Sequence, residues 1–397
     1  MNPGKKIITL LLTVLLLLSL APGGAPAALP GENGVQTATA DTGGPETTGK
    51  SAVIMDALSG KLLYAKEPDQ RLPMASVTKL MTLLLAVEAV EQGKVSLTDR
   101  VVTSENAWSM GGSQIYLEPG EEMSMEEMLI AVAVGSANDA SVAVGEHITG
   151  TEEAFVDMMN QRAAELGCKN TNFVNPTGLP AENHYTSAKD MAIILKKCLD
   201  YPLFMSISSI YEYDLRGGDF KLWNTNKLLK WYKGVDAGKT GWTNEASYCL
   251  ASSGERDGMR LIVVVLGTTE PRSHFRESIK LYNYGFARFT AVKLAKEGEA
   301  VKTVKVFKGV AEQVDAVTTA PVAVVVPKGE DKDYTGAVAV PDEITAPVTK
   351  GQVLGDYLVT RDGKEMLKVP VVASAGVEKA SIFQQMYRVM HKLYTFE

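Results

Sequence analysis

Cysteine is scarce in this sequence. Its 397 residues include three cysteines, Cys168, Cys198 and Cys249, which are widely spaced and form no C-x-x-C pair. An odd number of scattered cysteines does not build a disulfide framework, and it suggests neither a zinc site nor redox chemistry. One disulfide with a remaining thiol stays open as an alternative, but we favour three small side chains buried in the core.

Histidine and positive charge are also in short supply. The four histidines are His147, His184, His274 and His391. They lack the H-x-x-x-H or H-x-H spacing of zinc ligands, so we expect no metal and no other cofactor. With a formal net charge of −7, the chain is a poor candidate for binding nucleic acid or for broad electrostatic contact with anionic lipid. No G-x-S-x-G turn indicates a Ser-His-Asp hydrolase.

The apolar run at residues 7–20 is short. Two lysines precede it, and the small residues Ala-Pro-Ala-Ala follow it at positions 25–28. A charged start, an apolar middle and an A-x-A-like site predict a signal peptide over residues 1–28. The run is shorter than the roughly 20 residues of a membrane-spanning helix, which makes an uncleaved anchor the weaker alternative. Because the first cysteine is Cys168, a lipoprotein anchor is excluded, and we expect a protein exported to the outer face of the cytoplasmic membrane.

The rest of the chain divides by composition. Residues 29–49 are rich in Gly, Pro, Thr and Ala and predict a flexible linker. Residues 50–295 predict an α+β domain, since strand-like runs at both ends enclose helical patterns, as in an antiparallel sheet flanked by helices. Residues 296–376 contain short Val- and Thr-rich runs and predict a small all-β domain. In residues 377–397 apolar side chains recur at helical spacing opposite polar ones, which predicts an amphipathic helix.

The first chemical motif is Ser76-Val77-Thr78-Lys79, which occurs once, at the start of an apolar helical run. Side chains three residues apart on a helix are neighbours, so the hydroxyl and the amine can share a hydrogen bond. A serine becomes a nucleophile when a base takes its proton, and a lysine can be that base only if burial or a nearby cation lowers its pKa. Taken alone, the motif also fits an N-cap serine with a surface lysine.

An S-x-N sequence occurs at Ser136-Ala137-Asn138 and again at Ser104-Glu105-Asn106. The first interrupts an apolar stretch, where each buried polar group needs a partner, whereas the second lies in a polar segment. We therefore select Ser136 and Asn138 as candidate site residues. The structural alternative for them is a turn between two helices.

The third motif, Lys239-Thr240-Gly241, also occurs once and leads into a pair of strand-like runs. A lysine can hold a carboxylate, a threonine hydroxyl can donate a hydrogen bond to it, and a glycine lets the backbone approach a ligand closely. A Gly-rich turn with a solvated lysine is the alternative.

The order S-x-x-K, S-x-N, K-T-G resembles the motifs of penicillin-binding proteins and serine β-lactamases. From about residue 51 onward the chain is similar to the low-molecular-mass D-alanyl-D-alanine carboxypeptidases of sporulating Gram-positive bacteria. The similar segments are LPMASVTKLMTLLLAVE, GSANDASVAVGEHI, FVNPTGL, HYTSA and GVDAGKTGWTNEASYCLAS. The resemblance implies a β-lactamase/penicillin-binding transpeptidase-like fold, a β-rich second domain and a membrane-associating C-terminal helix.

The resemblance also implies catalytic roles. Ser76 would attack the bond between the two D-alanines of a peptidoglycan stem pentapeptide, with Lys79 as its base. Ser136 would relay the proton to the leaving D-alanine, and water would then release the acyl-enzyme. The same serine would be acylated by β-lactams, which would act as covalent inhibitors.

Substrate-binding roles are implied for the remaining motif residues. Asn138 would hold the substrate amide, Lys239 and Thr240 would bind the terminal carboxylate, and Gly241 would allow close approach. The backbone N–H groups of Ser76 and Trp242 would form the oxyanion hole.

Some residues and functions stay as alternatives. Arg272 and Arg276 could assist carboxylate binding, although an ordinary surface role is the simpler interpretation, and His184 is expected to be a structural hydrogen-bonding residue. A class A β-lactamase would carry an E-x-x-L-N motif, yet no Leu-Asn pair occurs in the chain. A non-catalytic penicillin sensor would lose the base or the relay, whereas Lys79 and Ser136 are both present.

Overall fold

The computed structural model describes residues 44–395. The predicted signal peptide and residues 29–43 of the predicted linker lie outside this range. We call residues 44–288 the α+β domain and residues 289–381 the β domain.

The α+β domain alternates short strands with helices. Its strands are β1 (Ser51–Asp56), β2 (Leu62–Lys66), β3 (Arg100–Val102), β4 (Glu122–Ser124), β5 (Glu212–Leu215), β6 (Phe220–Trp223), β7 (Val235–Thr243), β8 (Ser247–Arg256) and β9 (Met259–Thr268). Its helices are α1 (Lys79–Glu91), α2 (Glu105–Trp108), α3 (Met125–Ile130), α4 (Asn138–Thr149), α5 (Glu152–Glu165), α6 (Ala188–Leu199), α7 (Pro202–Ser208), α8 (Leu228–Trp231) and α9 (Ser273–Arg288).

Strands from both ends of the α+β domain form one antiparallel sheet. The strand order is β2-β1-β9-β8-β7, so the hairpin of β1 and β2 is joined to the C-terminal strands through β9. Strand β7 pairs only with β8 among the described strands and lies at an edge of the sheet. The predicted architecture is therefore confirmed. Because β7 is at the edge, the backbone N–H and C=O groups on one side of it are not paired with another described strand.

Helices cover both faces of this sheet. Leu250 and Val263 lie in the core shared with Tyr282 of α9. The alternate residues Ala251 and Val264 belong to the larger core, which includes residues of α1, α4 and α6. Because both faces are buried, β9 reads as a continuous apolar run rather than an alternating one.

Helix α1 lies in the middle of the larger core. Its residues from Lys79 to Ala89 are all buried, as expected for a helix that is apolar on every side. The cysteines are buried as predicted: Cys198 donates a hydrogen bond to the Leu80 carbonyl at 3.4 Å, and Cys168 and Cys249 are also part of this core.

Residues 44–49 contact the α+β domain before the first strand begins. Tyr64 donates a hydrogen bond to the Pro45 carbonyl at 3.0 Å, and Lys66 donates to the carbonyls of Thr47 and Gly49 at 2.7 and 2.8 Å. The linker was predicted to extend to residue 49, but these last residues have defined partners. Composition did not reveal them, because the contacts use backbone carbonyls that any residue carries.

The β domain contains strands of two sheets. They are β10 (Phe289–Ala295), β11 (Ala300–Phe307), β12 (Gln313–Thr318), β13 (Val322–Pro327), β14 (Tyr334–Ala339), β15 (Glu343–Thr345), β16 (Val353–Arg361) and β17 (Lys364–Ala373). Strand β10 pairs with β13, and the other six form the order β14-β16-β17-β12-β11-β15. The predicted boundary at residues 295 and 296 would separate β10 from its partner. The composition changes only after β10, so it did not mark this strand as part of the β domain.

The last element is helix α10 (Ile382–Thr395). It begins after residue 377, because Val377 still forms a bridge with Val348. Within residues 44–395, no helix has the length and apolar character needed to cross a membrane.

Candidate active site

Ser76 lies in a short 3-10 turn, Ala75–Thr78, that continues directly into α1. The hydroxyl of Thr78 donates to the Ala75 carbonyl and lies 2.8 Å from Nε2 of His184. Nδ1 of His184 accepts a hydrogen bond from the Val174 backbone N–H at 3.0 Å, so Nε2 carries the proton and donates to Thr78. Burial, with a smaller contribution from Lys79, lowers the pKa of His184 to about 4. A neutral imidazole therefore holds the turn, which agrees with the predicted structural role.

Lys79 is wholly buried directly beneath the turn. Its Nζ atom lies 3.2 Å from Ser76 Oγ, 2.5 Å from Asn138 Oδ1 and 2.6 Å from the Thr177 carbonyl oxygen. Burial, and secondarily the charge of Lys239, hold the pKa of Lys79 well below its usual value, while Asp139 acts in the opposite direction. The amine is therefore neutral at a lower pH than an exposed lysine would be.

The hydrogen bonds also fix how the neutral form of this amine, the form that can act as a base, is oriented. A neutral amine has two N–H donors and one lone pair, and the oxygens of Asn138 and Thr177 are acceptors only. The two donors are used by these oxygens, and the lone pair is left for the hydroxyl proton of Ser76. This arrangement is the one that a general base for a serine nucleophile requires.

The second motif is a turn between helices that also enters the site. A π-helical segment, Ala131–Gly135, ends at Ser136 in the left-handed conformation with φ 61°, and α4 begins at Asn138. Asn138 Nδ2 donates to the Gly111 carbonyl at 2.7 Å, which directs its Oδ1 toward Lys79. Ser136 is buried, and within the described part of the chain its hydroxyl makes no hydrogen bond. The competing Ser104 caps α2 by accepting from the Ala107 N–H, and thus has a structural role.

The third motif lies on the edge strand β7 and faces the nucleophile turn. A Cβ atom on Gly241 would lie 2.7 Å from the Met74 carbonyl oxygen and 3.0 Å from the Ser76 nitrogen. Only a glycine lets the two backbones approach this closely. Lys239 is buried and donates to the Thr240 carbonyl at 3.0 Å, and burial lowers its pKa to about 7. Trp242 is 55 % exposed.

Residues that the sequence analysis did not select complete the site. The Thr177 carbonyl holds Lys79, and Gly178, with φ +84°, packs so closely on the turn that a Cβ atom would lie 2.0 Å from the Ala75 carbonyl oxygen. Asn175 accepts hydrogen bonds from the backbone N–H groups of Thr177 and Gly178 at 3.2 and 2.7 Å. The sequence Asn-Pro-Thr-Gly signals this turn, but a backbone carbonyl ligand leaves no mark in a sequence.

Asp139 is a further residue that we did not select. Its carboxylate accepts the backbone N–H groups of Ile115 and Leu117, each at 3.1 Å. These bonds fix the loop that presents the Gly111 carbonyl to Asn138. The available sequence signal was the position of Asp139, a charged residue directly after Asn138 in an otherwise apolar stretch.

The two arginines lie at the surface near the start of α9. Arg272 is exposed and precedes the helix with φ 64°. Arg276 is exposed and donates to the Pro271 carbonyl at 3.5 Å. These positions agree with the surface role that we preferred.

Two family models match this chain. The model described as D-alanyl-D-alanine carboxypeptidase matches residues 36–270. The model of the penicillin-binding protein 5 C-terminal domain matches residues 289–379. Together they cover most of the α+β domain and nearly all of the β domain.

Full-length relatives and solved structures agree with the family models. The chain is 43 % identical over 390 residues to D-alanyl-D-alanine carboxypeptidase DacF of Bacillus subtilis, covering 97 % of this chain and 98 % of the relative. Penicillin binding protein 5 from Haemophilus influenzae superposes with a TM-score of 0.68 at 35 % identity, over 84 % of this chain and 99 % of that structure. Penicillin-binding protein D2 from Listeria monocytogenes, in its ampicillin-bound form, superposes with a TM-score of 0.56 at 29 % identity. The match covers 61 % of this chain and 100 % of that structure.

Proposed function

Since the chain belongs to the D-alanyl-D-alanine carboxypeptidase family of serine peptidases, we propose that it removes the terminal D-alanine from peptidoglycan stem pentapeptides through an acyl-enzyme on Ser76. The observation that carries this proposal is the set of contacts around Lys79 Nζ. Two carbonyl oxygens occupy its donors and leave its lone pair for Ser76.

In the proposed acylation step, Lys79 takes the hydroxyl proton as Ser76 Oγ bonds to the carbonyl carbon between the two D-alanines. The negative charge that forms on the carbonyl oxygen is stabilised by the backbone N–H groups of Ser76 and Trp242. The close approach of Gly241 to the Ser76 nitrogen supports this pairing of the two segments. The carbon–nitrogen bond then breaks, and the leaving amine receives the proton through Ser136.

Substrate binding and deacylation use the remaining residues. Lys239 and Thr240 bind the terminal carboxylate, and Asn138 hydrogen-bonds the substrate amide. After D-alanine departs, water gives its proton to Lys79 and attacks the acyl carbon, which regenerates Ser76. We also propose that β-lactams inhibit this chain covalently by acylating the same serine.

A labelled penicillin and a D-alanine release assay test this proposal together. Mass spectrometry of a peptic digest should place the penicilloyl group on Ser76, and release of D-alanine from a pentapeptide should show many turnovers. Ser76→Ala should lose both activities, whereas the matched Ser104→Ala should keep them. An adduct on Ser104 or Ser136 would contradict the assignment. Labelling without turnover would favour the non-catalytic sensor.

We further propose that the protein is exported and is held at the outer face of the cytoplasmic membrane by α10. The signal-like pattern of residues 1–28 supports export. On α10 the exposed side chains are largely apolar: Ile382, Phe383, Met386, Tyr387 and Met390 are between 53 % and 80 % exposed. Such a surface is typical of a helix that lies in a membrane interface.

Helix α10 and the residues just before it are hydrogen-bonded to the β domain, while the apolar side chains of the helix remain exposed. Arg388 donates to the Gly309 carbonyl at 2.7 Å and also to the Val310 carbonyl. Residues 378 and 380 form backbone hydrogen bonds with the same turn. These contacts leave the exposed apolar face available to lipid, which supports the proposal.

Deleting residues 377–397 from the exported protein should move it from the membrane fraction to the soluble fraction. Replacing Phe383 and Met386 by Gln should weaken membrane association in the same direction, whereas Gln384→Ala is the matched control that should not. Equal fractionation of the truncated and full-length proteins would contradict membrane anchoring and favour a purely structural helix.

A further inference from the structure

The loop of residues 109–121 carries the backbone groups that orient Asn138. The carbonyl of Gly111 accepts a hydrogen bond from Asn138 Nδ2, and the carbonyl of Ser113 accepts one from the Asn138 backbone N–H, both at 2.7 Å. The remaining polar atom of the side chain, Oδ1, is the oxygen that accepts from Lys79. The position of this loop therefore decides how the Asn138 amide meets the proposed base.

Arg216, which lies between β5 and β6, holds the same loop from its other side. The guanidinium donates to the Ile115 carbonyl at 2.8 Å and to the Tyr116 carbonyl at 3.4 Å. Its Nε and Nη2 atoms also donate to one carboxylate oxygen of Glu121, at 3.0 and 2.9 Å. The N–H of Ile115 donates to Asp139 at 3.1 Å. This part of the loop is thus fixed between an aspartate of α4 and an arginine of the β5–β6 hairpin.

The β5–β6 hairpin also packs on the segment that leads to Ser136. Leu222 is buried on β6, and a Cβ atom on Gly135 would lie 2.9 Å from its side chain. Gly135 directly precedes Ser136. Through Arg216 the loop is therefore joined to an element that is itself packed against the second motif.

The joined segments contain strained backbone conformations. Tyr116, Arg216 and Ser136 have φ angles of 57°, 51° and 61°, in the left-handed region that residues other than glycine rarely adopt. Such conformations persist only where the surrounding contacts over-determine them, and they cluster at functional sites. For Tyr116, the contacts are those that Arg216 and Asp139 make with its neighbouring peptide groups.

We propose that Arg216 is a positioning residue for the proton transfer from Ser76. It fixes the loop, and the fixed loop keeps the amide oxygen of Asn138 on Lys79. The inference rests on the proposed function of the site. Without Arg216 the loop loses its outer contacts, so the Gly111 carbonyl that sets the direction of the Asn138 amide is held less firmly. The lone pair of Lys79 is then directed at Ser76 for a smaller fraction of the time.

The test measures kcat and KM for D-alanine release from a pentapeptide, using the full-length protein. Labelled penicillin counts the active sites in each preparation, so the rates per site are independent of any loss of folded protein. The variants are Arg216→Gln, Arg216→Lys and Glu121→Gln. Arg162→Gln is the matched control, because Arg162 also pairs with a glutamate and its side chain is 22 % exposed, against 27 % for Arg216. Its partner Glu88 lies near the C-terminal end of α1, away from Lys79 at the start of that helix.

Arg216→Gln should lower kcat roughly tenfold, less than the approximately 10²-fold loss from a 1 Å displacement at the site itself. KM should stay near its native value, because the proposed carboxylate contacts on β7 are unchanged. Arg216→Lys should recover part of the rate, since it keeps the charge opposite Glu121 but lacks the planar fork. Glu121→Gln should lower kcat about threefold, because a hydrogen bond without charge on the acceptor is weaker. Arg162→Gln should keep the native kcat per active site.

A native kcat in Arg216→Gln or, if that variant does not fold, in Glu121→Gln would overturn the inference. A raised KM with an unchanged kcat would also overturn it, and so would an equal loss of kcat in Arg162→Gln. In each of these cases the proposed function stands. Absence of D-alanine release from the native protein would overturn the proposed function together with the inference.

Discussion

Lys79 Nζ lies 3.2 Å from Ser76 Oγ, and the nearest oxygen of Asn138 lies 2.5 Å from the same nitrogen. The first contact belongs to one turn of chain, whereas the second joins α1 to the start of α4. The base is thus held by an element distant in sequence. Changes to either contact should affect the proton transfer rather than the fold.

Lys79→Arg keeps a long side chain with N–H donors but removes the base, because a guanidinium is not deprotonated in proteins. Acylation by penicillin and D-alanine release should both fall by at least about 10²-fold, the usual contribution of a general base. Stopped-flow labelling measures the first rate. Lys66→Arg is the matched control, since Lys66 binds the carbonyls of Thr47 and Gly49 away from the site. A Lys79→Arg protein that acylates at the native rate would exclude this residue as the base.

The pH dependence should report Lys239. Burial lowers its pKa to about 7, so its ammonium form, which binds the substrate carboxylate, is lost from the free protein as pH rises through that value. We expect kcat/KM for a carboxylate peptide to decline above about pH 7. Lys239→Arg should remove this decline, because arginine stays charged. If kcat/KM of the Lys239→Arg protein still declines at the same pH, the decline belongs to another ionisable group.

His184 should make stability depend on pH. Its folded pKa of about 4 lies below its ordinary value of 6.5, so unfolding takes up a proton between these values, and stability falls as pH decreases from 6.5 toward 4. By linkage the loss reaches about 2–3 kcal/mol near pH 4.5. Urea unfolding of His184→Gln should show a pH dependence smaller by this amount. His147→Gln, at a half-exposed position, is the control. Equal pH dependence in native and His184→Gln proteins would contradict the neutral, hydrogen-bonded imidazole.

Gly241→Ala should impair acylation without unfolding the protein. Its Cβ atom would lie within 3.0 Å of the Ser76 nitrogen and the Met74 carbonyl oxygen, so β7 must move away from the nucleophile. Displacement of about 1 Å at a catalytic site costs roughly 10²-fold in rate. Gly376→Ala is the control, since its Cβ atom would meet its neighbours at 3.5 Å or more. Native acylation kinetics in Gly241→Ala would show that this close approach is not needed.

Sequence patterns predicted the fold correctly for elements whose structure depends mainly on their own residues. The apolar run after Ser76 became α1, and the alternation of short apolar runs with turns became the β domain. Strand β10 was assigned to the wrong side of the predicted boundary, because its membership depends on pairing with β13 rather than on its own composition.

The sequence predicted those parts of the candidate site that are formed by side chains. The three motifs drew attention to Lys79, Asn138 and Gly241, and the structure brings these residues around Ser76. The contact of the Thr177 carbonyl with Lys79 was not predicted, because backbone groups are the same at every residue. Asp139 escaped because its partners, N–H groups of a loop some twenty residues earlier, are created only by the tertiary fold.

The most direct test of the central claim measures penicillin hydrolysis and D-alanine release with one preparation of the protein. The small leaving D-alanine diffuses away and admits water, whereas a penicilloyl group keeps its leaving amine tethered. No carboxylate among the described residues hydrogen-bonds to Ser76 or Lys79 to position a water in its place. We expect a burst of roughly one penicillin per active site followed by very slow hydrolysis, while D-alanine release continues through many turnovers. Sustained, rapid hydrolysis of benzylpenicillin, with no release of D-alanine from the pentapeptide, would contradict the account and identify a β-lactamase.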